Sequence, residues 1–213
     1  NISTFNVGFS EKKHDESSVA ENISKKFNYP FHSINVEGNL LRNTTMQALK
    51  GFGDTLVHQS EPQLIAISDY ANNHVKVLLS GEGADEMMGG YVRYKALNFF
   101  ALPQILKKGL KFIPDSFKSS RVKKLENYFQ IDNVRDAVLF NSVNNYPNEF
   151  LKYGIELEES TYDYRSKILD DAEHLYPESR ARQAMYLDFH TYLTSLNDRN
   201  DRTTMAASIE CRV

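Results

Sequence analysis

The residues most suited to chemistry lie in one glycine-rich loop, residues 80–91, which reads SGEGADEMMGGY. Three acids, Glu82, Asp85 and Glu86, stand among four glycines in this loop. Carboxylates can hold Mg²⁺, which prefers oxygen ligands and often bridges to substrate phosphates, and glycine lets the main chain approach a ligand closely. The same composition is compatible with a tight turn that carries solvated acids, so the loop alone leaves both interpretations open.

A run of apolar, mostly branched residues, VKVLL at 75–79, directly precedes the glycine-rich loop. This pattern is typical of a strand that is buried on both faces of a parallel sheet. Open α/β sheets bind their ligands at the carboxyl ends of such strands. The pattern therefore predicts that the loop begins at the edge of the sheet where ligands bind.

The first forty residues predict a βαβ unit. STFNVGF at 3–9 and FHSINV at 31–36 both indicate strands, and the segment between them places Val19, Ile23 and Phe27 at helical spacing. Strand, helix and strand within this length imply parallel pairing and a right-handed crossover. A helix at 40–57 and a short helix before residue 75 lead to the strand at 75–79, which predicts a second βαβ unit.

Beyond residue 95 the pattern changes, and we find no convincing alternating strand as far as residue 212. Helical spacing predicts helices at 134–143, 150–157, 162–175 and 178–208, the last as two helices that are joined near Asn197. The sequence therefore predicts an α/β part that is followed by a mostly helical region.

Composition excludes several classes of protein. The chain has 213 residues, 41% of them hydrophobic, with 25 basic and 28 acidic side chains, so it carries no general signal for binding nucleic acid or a membrane surface. No apolar run approaches the roughly 18 residues of a membrane span. Its single cysteine, Cys211, excludes an intrachain disulfide and fits a reducing compartment. Because the chain begins without Met and neither end looks like a domain boundary, we expect a fragment of a longer protein.

Four segments resemble, in order, the ATP-dependent synthetase domain of the asparagine synthetase family. The first is similar to the second strand of the family's nucleotide-binding sheet, the second to the following helix and strand, the third to its signature loop, and the fourth to the helix before its Pro-Phe-Leu-Asp stretch. The middle of the chain, residues 95–180, is placed by position only. The four segments are TFNVGF, HDESSVAENISKKFNYPFHSINV, SGEGADEMMGGY and DRNDRTTMAASIECRV.

The resemblance implies a fold. It is an α/β domain with a parallel sheet of the adenine nucleotide alpha hydrolase (ATP pyrophosphatase) type, followed by a mostly helical region. Residues 1–94 would form the nucleotide-binding part and residues 95–213 the helical part of the same domain, which would be incomplete at both ends.

The resemblance also implies an activity. The family uses ATP and Mg²⁺ to convert the side-chain carboxylate of aspartate into an aspartyl-adenylate, with release of pyrophosphate. Ammonia, which a separate amino-terminal glutaminase domain makes from glutamine, then displaces AMP to give asparagine. The implied partners are small molecules in the cytoplasm, with no nucleic acid and no membrane, and a homodimer is left open.

Six residues match positions of the family's site. Val7 falls where a strand backbone contacts adenine, and Ser80 and Gly81 fall where the loop binds the nucleotide. Asp85 matches an aspartate that helps to bind Mg²⁺. Two residues match catalytic positions: the glutamate linked to adenylate formation and a tyrosine near the substrate pocket, here Glu82 and Tyr91.

A charge cluster near the C-terminus, Asp198, Arg199, Asp201 and Arg202, has two interpretations. Its arginines would form a fork for pyrophosphate or substrate, or its members would form ion pairs that hold the last helix. The six histidines show no metal-ligand spacing.

The chain also departs from the family pattern. The pyrophosphate loop Ser-Gly-Gly-x-Asp-Ser, the catalytic lysine beyond Pro-Phe-Leu-Asp and the glutaminase domain are not in these 213 residues, so we expect this piece alone to be inactive. Two other functions stay open. One is a related carboxylate-adenylating ligase that closes a β-lactam or amidates another acid, and the other is a non-catalytic nucleotide-binding remnant.

Overall fold

The computed structural model describes residues 2–13, 15–52, 56–97, 133–142, 150, 153–156 and 158–213. In chain order its elements are β1 Thr4–Gly8, α1 Ser17–Lys26, β2 Phe31–Asn35, α2 Gly38–Phe52, α3 Glu61–Ala71, β3 Val77–Leu79, α4 Ala84–Met88, α5 Val92–Ala96, α6 Val134–Leu139, a 3₁₀ turn Glu159–Tyr162, α7 Asp163–Leu175, α8 Arg180–His190, α9 Tyr192–Ala206 and β4 Glu210–Arg212.

The strands form two parallel pairs, which confirms an α/β fold in its coarse form. In the first pair, β1 lies beside β2, with Thr4 opposite Phe31. In the second pair, β3 lies beside β4, with Val77 opposite Glu210. The first pair and α1 are the βαβ unit that the sequence predicts. Most of the remaining described residues are helical.

The prediction that no strand follows residue 95 is wrong, because residues 210–212 form β4. Three residues are too few to show an alternating pattern. The strand instead forms through its pairing with β3, and hydrogen bonds flank the pair, from Glu210 N–H to the Lys76 carbonyl at 3.1 Å and from Ser80 N–H to the Arg212 carbonyl at 2.8 Å.

The predicted break near Asn197 is also wrong, because Asn197 lies inside α9 and the break falls at Thr191. The backbone at Thr191, with φ −124° and ψ −66°, is not helical. Its hydroxyl donates to the Leu187 carbonyl at 2.7 Å and accepts from Arg165 Nη1 at 2.9 Å. The bond from Arg165, which lies 26 residues away in the chain, is a tertiary contact that the local sequence does not reveal, whereas the low helix propensity of asparagine favours a break at Asn197.

The helices at 134–143 and 162–175 are confirmed in shortened form by α6 and α7. The helix predicted at 150–157 is wrong at residues 153–156, which form a turn and irregular structure with Gly154 at φ +72°, and residues 151, 152 and 157 lie outside the described residues. No helix in the described ranges is long and apolar enough to cross a membrane.

The chain divides into two compact units. The strand unit comprises Asn1–Gly81 and Leu196–Val213, and the helical unit comprises Glu82–Ser195. In the strand unit, Phe5 of β1 and Leu78 of β3 pack on the same small core, and in the helical unit Leu97, Leu139 and Leu169 share another. The division predicted from the sequence, 1–94 and 95–213, stays a prediction.

Asn133 caps α6, so its replacement should be measurable in stability. Its Oδ1 accepts from Asp136 N–H at 2.7 Å and its Nδ2 donates to Asp136 Oδ2 at 2.6 Å. We expect Asn133→Ala to lower the free energy of unfolding by about 1 kcal/mol, the usual cost of a lost cap. Urea denaturation of the full-length protein measures it, and Asn133→Ser, which keeps an acceptor, is the control. Equal losses in both variants would contradict the capping role.

Candidate active site

Ser80 lies at the carboxyl end of β3, where the sequence places it. Its N–H donates to the Arg212 carbonyl and continues the β3–β4 ladder by one residue, so the backbone of Ser80 is held at the strand end. The Ser80 side chain is half-buried. Gly81 follows and is exposed, and no described atom lies within 4 Å of the place where its Cβ would be. The backbone at this point is therefore open to a ligand.

Val7 lies in β1, opposite Ile34 of β2, one residue before the strand ends. The next residue, Gly8, is closely surrounded, since a Cβ there would lie 2.6 Å from Asn35 Oδ1 and 3.0 Å from Ser17 Oγ, and these side chains would have to move. The structure places β1 and β3 in different strand pairs. Val7 and Ser80 thus both lie at carboxyl strand ends of the strand unit, but no hydrogen-bonded ladder links their strands.

Asn200 of α9, which the sequence analysis missed, reaches the Ser80 hydroxyl. Its Nδ2 lies 3.4 Å from Ser80 Oγ, and its Oδ1 accepts from Arg199 Nε at 3.1 Å and Nη2 at 2.9 Å. Arg199 Nη1 also donates to Ser60 Oγ at 3.1 Å. Two members of the charge cluster also pair with each other, since Arg202 Nη1 lies 3.7 Å from Asp198 Oδ2. This pair agrees with the interpretation in which the cluster forms ion pairs along the last helix.

In the helical unit, two glycines set the ends of α4. Gly83, with φ +88°, precedes the helix, and Gly89, with φ +73°, ends it with its N–H on the Asp85 carbonyl at 2.9 Å. Positive φ favours glycine at both positions. Gly90 packs closely against Asp85, because a Cβ there would overlap the Asp85 carboxylate and force that exposed side chain to move.

The three acids of the loop have different surroundings. Glu86 is only 2% exposed and its Oε1 accepts from the Tyr91 hydroxyl at 2.8 Å, so it serves the internal packing of the helical unit. Glu82 is half-buried and Asp85 is exposed. Asp85 is therefore the loop carboxylate that is most accessible to an ion.

A single carboxylate, such as that of Asp85, is compatible with Mg²⁺ that binds together with a nucleotide. Among the described residues, no three His, Cys, Asp or Glu side chains converge on a metal position. Mg²⁺ that accompanies a nucleotide takes one or two carboxylates, waters and phosphate oxygens, and does not need a cage made of protein groups. Asp85 is of the right chemical type for that mode.

Tyr91 is held as a neutral hydrogen-bond donor. Burial, together with the hydrogen bond to Glu86 and its charge, raises the pKa of Tyr91 well above its usual range. The Arg93 guanidinium lies 3.7 Å from the centre of the Tyr91 ring, a cation–π contact. At neutral pH the phenol therefore keeps its proton and cannot serve as a base.

Arg93 joins this tyrosine to a buried acid. Its Nη2 lies 3.0 Å from Oδ2 of Asp188, whose side chain is 0% exposed, and the Tyr94 hydroxyl donates to the same oxygen at 3.0 Å. Burial and the Asp188 charge raise the pKa of Tyr94 as well. The sequence analysis missed Arg93 and Asp188, and no local pattern links residues that lie so far apart in the chain.

The fold and the loop define a class of protein, an α/β chain whose parallel strand β3 leads into a glycine-rich acidic loop. The sequence model of the asparagine synthase family matches residues 1–213, and the chain belongs to this family. The chain is also 26% identical over 226 residues to "Asparagine synthetase [glutamine-hydrolyzing] 1" of Bacillus subtilis (strain 168).

That alignment covers 100% of this chain and 34% of the relative, so the chain spans about a third of the relative's length. No solved structure matches the chain. The comparisons confirm the resemblance that the sequence motifs indicate.

Proposed function

We propose that the full-length protein is an amide ligase of the asparagine synthetase type. It adenylates the side-chain carboxylate of aspartate with ATP and then transfers ammonia to give asparagine, AMP and pyrophosphate. The observation that carries this proposal is the glycine-rich acidic loop at the carboxyl end of parallel strand β3, in a chain that matches the family over its whole length. A sheet of the adenine nucleotide alpha hydrolase type and a cytoplasmic location belong to the same proposal.

Ammonia would come from glutamine, through a glutaminase domain elsewhere in the full-length chain. The name of the Bacillus subtilis relative, which is glutamine-hydrolyzing, supports this part of the proposal. The 213 residues of this chain would supply part of the synthetase site, which includes the glycine-rich acidic loop.

We assign nucleotide binding to residues of the strand unit. The backbone of Val7 would contact adenine, and Ser80 and Gly81 would bind phosphate oxygens. Attack of a carboxylate on the α-phosphorus builds negative charge on those oxygens, and fixed hydrogen-bond donors offset it. The open backbone at Gly81 and the held position of Ser80 support these roles.

We assign adenylate formation and metal binding to the following loop residues. Asp85 would hold Mg²⁺, which screens charge on the phosphates when bound. Glu82 would act in adenylate formation. Tyr91 would line the substrate pocket with its ring, because its one hydroxyl proton is donated to Glu86 and its raised pKa removes it from proton abstraction.

The test is exchange of labelled pyrophosphate into ATP by the full-length protein, with Mg²⁺ and a panel of carboxylic acids. We expect exchange that depends on aspartate. Exchange with another acid and none with aspartate would overturn the aspartate assignment and favour the related ligase. No exchange with any acid would overturn the enzyme proposal and favour a nucleotide-binding remnant.

Gly90→Ala tests the role of Asp85 without altering Asp85 itself. The added Cβ would displace the Asp85 carboxylate. We expect the Mg²⁺ concentration for half-maximal exchange to rise about 10-fold, as when the support of a metal ligand is lost. Gly51→Ala is the control, since no described atom lies within 4 Å of its Cβ position. An unchanged Mg²⁺ dependence in Gly90→Ala would remove Asp85 from the metal site.

A further inference from the structure

The contact between Asn200 and Ser80 bears on how the Ser80 hydroxyl is oriented in the proposed nucleotide site. Asn200 is only 4% exposed, and it meets the hydroxyl of a predicted binding residue from α9. Its neighbour Arg199 holds the carboxamide from the other side with two donors. All of these groups lie in the strand unit.

The chemistry of the two neighbours fixes the orientation of the amide. A guanidinium can only donate hydrogen bonds, so the Asn200 oxygen must face Arg199. The NH₂ group is thereby left on the side of Ser80, where it donates to Ser80 Oγ over 3.4 Å. The Ser80 hydroxyl is an acceptor in this contact and must direct its own proton elsewhere.

We propose that Asn200 is a positioning residue that holds the Ser80 hydroxyl as a donor toward an anionic oxygen of the nucleotide. The inference rests on the proposed function, since it takes Ser80 as a nucleotide-binding residue. It adds Asn200, to which the sequence analysis assigns no function and which acts through Ser80. Arg199 has a supporting part, because it sets which end of the Asn200 amide faces the strand.

Asn200→Asp is the informative substitution because it keeps the size of the side chain and replaces its NH₂ donor with a second carboxylate oxygen, and the negative charge that it adds lies beside the Arg199 guanidinium. A carboxylate at this position would still accept from Arg199, so the local packing is retained. Its other oxygen would accept the Ser80 proton and turn the hydroxyl away from the ligand. The Ser80 donor would then be lost although Ser80 is still present.

The experiment is a double-mutant cycle in the full-length protein, with ATP binding measured by calorimetry and KM and kcat measured by pyrophosphate exchange. We expect Asn200→Asp to weaken ATP binding about 10-fold, the loss of one hydrogen bond to a charged group. In a Ser80→Ala background the same change should cost less than about 2-fold, because the group it acts through is gone. Met205→Asp, which adds a charge on the exposed side of α9, is the control and should bind ATP as the wild type does.

Each result separates the inference from the proposed function. If the wild type binds no ATP, the proposed function fails and the inference fails with it. If the wild type binds ATP and Asn200→Asp binds equally well, or weakens binding by the same factor with and without the Ser80 hydroxyl, the inference alone is overturned. If Asn200 only stabilised the fold, Asn200→Asp would lower the unfolding midpoint. It would then weaken ATP binding by the same factor in the wild-type and the Ser80→Ala backgrounds.

Discussion

Replacing Glu82 with glutamine should lower aspartate-dependent pyrophosphate exchange by about 100- to 1,000-fold, the typical effect of removing one group that stabilises a transition state. Glutamine keeps the size of the side chain, removes its charge and replaces one acceptor oxygen with an NH₂ donor. Glu82 is half-buried and directly precedes Gly83, so an isosteric change should leave the turn into α4 intact. We therefore expect the loss to appear in kcat, with ATP affinity within a few-fold of the wild type.

The control for this prediction is Glu178→Gln, which removes the same charge from an exposed position. It should exchange pyrophosphate at the wild-type rate. Wild-type exchange by Glu82→Gln would exclude Glu82 from adenylate formation. An equal loss of ATP binding and exchange would assign Glu82 to nucleotide binding and not to the chemical step.

Features that depend on a few neighbouring residues could be predicted from the sequence. The alternation in STFNVGF and FHSINV predicted β1 and β2, and the apolar run before the glycine-rich loop predicted β3. The expectation that β3 is buried on both faces is wrong, because Val77 is 43% exposed and Leu79 is 83% exposed. The motif SGEGADE predicted a loop at the end of that strand, which is confirmed for residues 80–83 and wrong for Ala84–Met88, which form α4. Each of these signals lies within about ten residues, the range over which side-chain periodicity operates.

The packing of these elements could not be predicted in the same way. The spacing of Val19, Ile23 and Phe27 predicts α1, yet all three side chains are more than half exposed in the described structure. Helical spacing shows that a helix forms, because it follows from local geometry. It does not show what covers the apolar face, since that depends on distant parts of the chain.

The contacts that support the site are the hardest to predict from the sequence, because they join residues far apart in the chain. Asn200 contacts Ser80 across 120 residues, and Asp188 contacts Arg93 across 95 residues. A single sequence contains no signal for such a pair, since neither residue is unusual in its own segment. The strand β4 was missed for the same reason, because its pairing partner in β3 lies far upstream.

Replacing Asp188 with alanine should lower the free energy of unfolding by about 3 kcal/mol, the lower end for breaking a buried ion pair. Asp188 Oδ2 accepts from Arg93 and Tyr94, and its side chain is 0% exposed. Alanine would leave a buried guanidinium and a buried hydroxyl without their acceptor. The Arg93 side chain is 25% exposed, so water can reach it in part, and this places the cost at the lower end of the range.

Urea denaturation of the full-length protein measures this cost, with Asp171→Ala, an exposed acid on α7, as the control. Equal stability of the two variants would show that the Arg93–Asp188 pair contributes nothing net. The double variant Arg93→Met, Asp188→Leu separates two roles of the pair, because apolar residues of similar size can replace a buried ion pair without loss of stability. Since Arg93 also stacks on Tyr91, we expect this variant to regain stability but not the wild-type exchange rate. Recovery of both would show that the pair stabilises the helical unit and has no part in holding Tyr91.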